Sequence, residues 1–225
     1  MDKNRKYAVF DWDNTVREGY TLYSWVDYLC QHNIMEKDVQ KNLREIENRY
    51  KRKEITHDEY ANIACNEYTK ALTGKSEKKL NQVIADYIKE DRELLFPETN
   101  ALMKFLNKKN VDVIVISGAP TRILEQYKEE FGIKDIFALE EEVVEKSFTG
   151  KVACNYGHNK FCKVNELIKK YKTAPYLALG DSESDIPLLD SSDYPICVGN
   201  GLKKENYWNV DSKHVLDRIS KNIRF

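Results

Sequence analysis

Four short apolar runs punctuate this chain: Tyr7 to Phe10, Val111 to Ile116, Tyr176 to Leu179 and Ile196 to Val198. Between them lie stretches whose apolar residues recur at helical spacing. A run that is apolar at nearly every position, rather than at alternate ones, reads as a strand buried on both faces. Such strands alternating with helices predict an α/β fold with a Rossmann-like parallel sheet core.

One stretch has no strand signal. From about Tyr20 to Arg92 four helical stripes follow one another: Leu22, Trp25, Val26, Leu29 and Cys30; Leu43, Ile46 and Tyr50; Tyr60, Ile63, Ala64, Tyr68 and Ala71; Leu80, Val83, Ile84, Tyr87 and Ile88. Thr56 to Glu59 has the pattern of a capping box opening the third helix. Gly74 is placed to end that helix and Ser76 to cap the next. The expected organisation is a core of residues 1–19 and 93–225, with a helical-bundle cap domain of residues 20–92 inserted after the first strand. Pro97 suits the first turn of a helix that presents Leu102, Phe105 and Leu106. Leu139 to Val144 and Phe148 to Val152 read as a hairpin, and Phe161 to Tyr171 as a helix.

Bulk properties exclude several function classes. With 36 Lys and Arg against 37 Asp and Glu, net charge is −1, which offers no electrostatic basis for binding nucleic acid or a membrane surface. No apolar stretch is long enough to span a bilayer. The apolar run after the basic residues at the start of the chain is too short for a signal peptide. Five scattered cysteines without CxxC spacing fit free thiols in a reducing cytoplasm. A monomer or weak dimer is expected.

The chemistry is written where the strands end. Tyr7 to Phe10 runs into Asp11-Trp12-Asp13-Asn14-Thr15, Val111 to Ile116 into Ser117-Gly118-Ala119, and Tyr176 to Leu179 into Gly180-Asp181-Ser182-Glu183-Ser184-Asp185. Gly157-His158-Asn159-Lys160 precedes a helix and could deliver a lysine to the same place. In an open parallel sheet, ligands bind beyond the carboxyl ends of the strands. Two carboxylates as close as Asp11 and Asp13 repel unless a cation or proton lies between them. By themselves they suit a metal site, an acid and base pair, a nucleophile beside its proton donor, or only an Asx turn and helix cap. Taken together, four aspartates, a hydroxyl and a lysine are the parts of phosphoryl transfer: hard oxygen ligands for Mg²⁺ and donors for phosphate oxygens.

At these residues the chain resembles the haloacid dehalogenase superfamily, nearest its phosphoserine-phosphatase-like branch with a class I helical cap. Asp11-x-Asp13-x-Thr15 is similar to its first motif, Ser117 to its second, Lys160 to its third, and Gly180-Asp181-x-x-x-Asp185 to its fourth. The resemblance covers nearly the whole chain. It implies a Mg²⁺-dependent phosphatase acting on a small phosphorylated metabolite, with Asp11 as nucleophile of an aspartyl-phosphate and Asp13 as proton donor, then base. It implies phosphate binding by Asn14, Ser117, Gly118 and Lys160, and metal binding by Asp11, the Asp13 carbonyl, Asp181 and Asp185. Two carboxylates in the first motif set a phosphatase apart from a dehalogenase, which displaces halide with one aspartate and no metal.

Substrate recognition falls to the cap. In phosphoserine phosphatases a glutamate shortly after the first motif reads the amino group. Here Tyr20 stands at that place and Glu18 lies about two positions early. Tyr23, Trp25, Tyr28, Arg44, Arg49 and Arg52 are further contacts on offer, although aromatics on a helical stripe are more often core. His158 reads as a surface residue.

Other readings are open at this level. A phosphotransferase or mutase of the same fold would replace water with an acceptor hydroxyl. A phospho-accepting receiver domain also clusters Asp, Ser or Thr, Lys and Mg²⁺, but it is shorter, has no helical insert and carries its acceptor on a central strand. A non-catalytic binding homologue would have little use for the full motif set.

Overall fold

The computed structural model describes residues 6–225. The assignment of residues 1–5 to the core, and the reading of the chain's start, lie outside the described residues. The elements in order are β1 (Tyr7–Phe10), α1 (Thr21–Gln31), α2 (Lys37–Lys51), α3 (His57–Ala71), α4 (Glu77–Asp91), α5 (Thr99–Lys108), β2 (Asp112–Pro120), α6 (Thr121–Phe131), β3 (Ile133–Val144), β4 (Ser147–Asn155), α7 (Lys160–Tyr171), β5 (Leu177–Gly180), α8 (Ile186–Asp190), β6 (Tyr194–Val198), β7 (Trp208–Val210) and α9 (Val215–Asn222). Short 3₁₀ turns at Arg92–Leu94 and Glu183–Asp185 complete the set.

Among the described residues the strands form one seven-stranded sheet in the order β4-β3-β2-β1-β5-β6-β7. Neighbours run parallel except β3 and β4, which form an antiparallel hairpin. The α/β class is therefore as the apolar runs predict. β1 lies in the middle, with Phe10 opposite Val115 on one side and Leu179 on the other. Alternate side chains of each strand enter opposite cores. Tyr7, Val9, Ile114, Ile116 and Ala178 pack with Val164 and Leu167 of α7 and Leu188 and Leu189 of α8. Ala8, Phe10, Val113, Val115 and Leu177 pack with Leu102 and Leu106 of α5, Ile123 and Leu124 of α6, and Val215 and Ile219 of α9.

The first four of the five helices between β1 and β2, α1 to α4, bury the predicted stripes. Trp25 is fully buried, with its ring centroid 4.8 Å from Tyr87. Backbone hydrogen bonds tie the α3–α4 turn to the β3–β4 hairpin: the Gly74 amide donates to the Phe148 carbonyl (2.8 Å) and the Phe148 amide to the Lys75 carbonyl (3.0 Å). Behind them the Tyr68 hydroxyl donates to Glu141 (2.6 Å), which also accepts from Arg122 (3.0 Å).

Several local expectations shift. The capping box at Thr56 and Glu59 forms, whereas Ser76 takes the cap position of α4 without a side-chain bond. Pro97 lies in the turn before α5, whose first residue, Thr99, is anchored by donating its hydroxyl to the Val16 carbonyl (2.6 Å). β2 runs through Ser117 to Pro120, because β3 pairs with it as far as Leu139 opposite Pro120. β7 and α9, like α6 and α8, have no counterpart in the sequence reading. Among the described residues no helix is long and apolar enough to cross a membrane.

Candidate active site

The carboxyl ends of β1, β2 and β5 lie side by side, so the residues that leave them converge. The Asp11 amide donates to the Leu179 carbonyl (2.9 Å), which holds the start of the first loop against β5. The loop before α7 reaches the end of β2 because Gly157 lets the backbones touch: a Cβ there would stand 2.6 Å from the Gly118 Cα. Lys160 is the first residue of α7 and is carried into the site by this approach.

Lys160 is buried with Asp11 and Asp185 on either side. Its ammonium lies 3.0 Å from Asp11 Oδ1 and 2.5 Å from Asp185 Oδ1. Asp185 is fully buried, and its other oxygen accepts from the amides of Asp181 (3.0 Å) and Ser182 (3.1 Å). Gly180 makes room for this fold-back, since a Cβ there would be 2.3 Å from that of Asp185.

Asp11, Asp181 and Asp185 each present a carboxylate oxygen within 4.8 Å of the others. Three carboxylates thus face one lysine, and burial together with like charge raises Asp11 and Asp181. Burial, with Asp185 and Asp13 nearby and Lys160 opposing, pushes Asp11 up to about 7. Burial with Asp11 and Asp185 pushes Asp181 up to about 8. Burial would lower Lys160, but Asp11 and Asp185 outweigh it and raise the ammonium above its usual range. An all-oxygen donor set short of two positive charges fits a small divalent cation such as Mg²⁺. Both Asp185 oxygens already accept hydrogen bonds, which leaves Asp11 and Asp181 as the freer donors.

Asp13 has a different environment. Its Oδ1 accepts from the Thr21 amide (3.0 Å) and the Thr21 hydroxyl (2.5 Å) at the start of α1. Arg17, fully buried, lies 3.7 Å from the same oxygen. Burial raises the Asp13 carboxyl, against the lowering effects of Arg17 and Thr21. Arg17 pairs with buried Asp91 at 2.9 Å, and Asp91 also accepts from the hydroxyls of Tyr87 (2.8 Å) and Tyr127 (2.7 Å).

A cavity of about 110 Å³ opens on this group. Asp11, Asp13, Ser117, Gly118, Lys160 and Asp181 line its floor, and Tyr20 stands at its wall. Asn14 and Glu18 do not line it. Asn14 adopts a left-handed φ of 54° and its side chain accepts from the Gly19 amide (2.9 Å), which shapes the loop. Glu18 is exposed. Trp25 and Tyr28 are core, while Arg44 pairs with Asp27 and Arg52 with Glu45 and Glu54. His158, expected at the surface, is part of the lining. Thr21, Arg17 and Asp91 escaped the sequence reading. A hydroxyl at a helix start beside the carboxylate pair was a signal for Thr21, but nothing local announces the Arg17–Asp91 pair.

A family model described as haloacid dehalogenase-like hydrolase matches residues 8–190. The chain belongs to this family. No curated protein matches the sequence. Among solved structures, this haloacid dehalogenase-like hydrolase is similar to a protein of unknown function from Bordetella pertussis Tohama I (18% identity, TM-score 0.77, covering 92% of this chain and 99% of the other). It is also similar to a phospho-aspartyl intermediate analogue of phosphoserine phosphatase (19% identity, TM-score 0.71, covering 98% and 99%). A third is a phosphoserine phosphohydrolase-like protein from Francisella tularensis subsp. tularensis SCHU S4 (18% identity, TM-score 0.65, covering 97% and 100%). At these identities the likeness is one of fold, shared by the hydrolase core and the helices between β1 and β2.

Proposed function

We propose that this hydrolase is a Mg²⁺-dependent phosphatase that cleaves a small phosphomonoester through an aspartyl-phosphate on Asp11, with residues 20–92 acting as its cap. The observation that carries this reading is the unequal setting of two carboxylates two residues apart. Asp11 is held by a cation, Lys160, at 3.0 Å, and Asp13 by the hydroxyl and amide of Thr21. Paired carboxylates in contrasting environments divide into nucleophile and acid.

In the first half-reaction an Asp11 oxygen forms a bond to phosphorus as the ester oxygen leaves and takes the proton of Asp13. In the second, water attacks the same phosphorus, gives a proton back to Asp13, and phosphate departs with Asp11 restored. Lys160, the Ser117 hydroxyl and the backbone around Gly118 bind phosphoryl oxygens throughout. Asp11 and Asp181, supported by Asp185, would hold Mg²⁺, which when bound supplies positive charge to the phosphoryl group and nucleophile. Asn14 would serve through its backbone amide, because its side chain is engaged with Gly19. Five free thiols suit a cytoplasmic setting.

The test is Mg²⁺-dependent phosphate release from an aryl phosphate by the parent and by Asp11→Asn. Loss of at least about 1,000-fold is expected for removal of a covalent nucleophile. Full activity in Asp11→Asn would refute the reading.

A further inference from the structure

The phosphoryl group is bound on the floor of the cavity, so the leaving group must extend toward Asp13 and the helices beyond it. That side is walled by Tyr20, Leu22, Tyr23, Tyr60, Ala64 and Cys65. Tyr20, Tyr23 and Tyr60 form a triangle of rings with centroids 6.1 to 6.5 Å apart. No aspartate, glutamate, lysine or arginine from residues 20–92 lines the cavity, and His57 adds an imidazole to that wall. Burial keeps the Tyr60 phenol, the Cys65 thiol and the His158 imidazole toward their neutral forms. The buried Nε2 of His158 has no hydrogen-bond partner within the protein.

We infer that the substrate's leaving group is an uncharged alcohol bearing an apolar ring, and that phosphoserine is a poor substrate. This rests on the phosphatase reading and specifies the substrate class of that same site. A phosphoserine leaving group carries an ammonium and a carboxylate, and each would lose water on entry without meeting an aspartate, glutamate, lysine or arginine of residues 20–92. A ring meets the opposite situation: the tyrosine faces and Leu22 offer it apolar and edge-to-face contact. His158 Nε2 adds one neutral polar contact for a hydroxyl or carbonyl on the ring. Tyr20 is 41% exposed at the rim, so a bound ring would cover it.

The test compares kcat/KM for 2-phenylethyl phosphate, phosphoserine and phosphocholine, all alkyl esters, in the presence of Mg²⁺. Acetyl phosphate, small and without a ring, serves as a probe of the phosphoryl chemistry alone. The ring-bearing ester should exceed both charged esters by at least about 30-fold, since unpaired charges in a closed site discriminate strongly. Tyr20→Ala should reduce that ratio by about tenfold, mostly through KM. Phosphoserine or phosphocholine within that margin, or above the ring ester, overturns the inference. So does Asp11-dependent hydrolysis of acetyl phosphate with no turnover of the ring ester, which leaves the phosphatase reading intact. Failure on all four substrates overturns the phosphatase reading itself, and the inference with it.

Discussion

Asp13 and Thr21 are joined twice: one carboxylate oxygen of Asp13 accepts both the amide (3.0 Å) and the hydroxyl (2.5 Å) of Thr21. The start of α1 thereby fixes the direction of the carboxyl proposed to move the proton, and leaves its second oxygen for the reaction. Thr21→Val keeps the shape and the amide but deletes the hydroxyl. It should lower kcat by about tenfold with little change in KM, within the range for a misplaced acid–base group. Thr21→Ser should restore most of the rate. Equal kcat in Thr21→Val and the parent would remove Thr21 from this role.

Arg17, in the loop after β1, and Asp91, the last residue of α4, are both fully buried. Removing one partner strands the other charge, so Arg17→Met or Asp91→Leu alone should destabilise by about 3–5 kcal/mol. The double substitution should be milder than the sum, because no buried charge is left over. Denaturant melts of the four proteins make the cycle. Additive effects would mean that the pair is not coupled.

At Gly157 the constraint is close approach rather than backbone conformation. The added Cβ of Gly157→Ala would fall 2.6 Å from the Gly118 Cα and 2.8 Å from its nitrogen, and backbone cannot rotate away. The two loops must separate, at about 1–3 kcal/mol. Because α7 begins three residues later, Lys160 shifts with the loop, and kcat/KM should fall further than stability alone requires. A melt and a steady-state assay on one preparation check both.

Protonation of the acidic group makes metal-free stability depend on pH. Burial raises Asp11 to about 7 and Asp181 to about 8, both above the value of an unfolded aspartate. A carboxyl raised in the folded state contributes its stability at low pH and loses it as pH climbs through the folded value. Chelated protein should therefore weaken by at least about 1 kcal/mol as pH rises from about 4, where an unfolded aspartate titrates, to the folded values. Mg²⁺ binds the ionised carboxylates, so its stabilising effect should grow over the same interval. Melts with chelator and with Mg²⁺ at several pH values read both slopes. Stability of the chelated protein that rises across the window would contradict these shifts.

Much of the molecule was legible in one dimension. The apolar runs that became β1, β2, β5 and β6 were visible because burial on both faces leaves an unbroken run, and the four helical stripes because one face of each helix is buried. The ends of the runs pointed to Asp11, Asp13, Ser117 and Asp181, since functional side chains in such sheets follow the apolar run of a strand. Less visible were β7, only three residues long, and α8, five residues long, which are too short for a period to register. His158 was misplaced because its loop gives no sign of the helices that cover it.

The sequence by itself determined the class of fold and the inventory of reactive groups, because periodicity and strand ends are local properties. Tertiary structure alone decided how those groups are arranged. Sheet order brought Lys160 between Asp11 and Asp185, and the entry of α1 turned Asp13 toward Thr21. It also decided that tyrosines, and no aspartate, glutamate, lysine or arginine of residues 20–92, line the cavity. These outcomes depend on which distant segments share a low-dielectric volume, and neither spacing nor propensity encodes that choice locally.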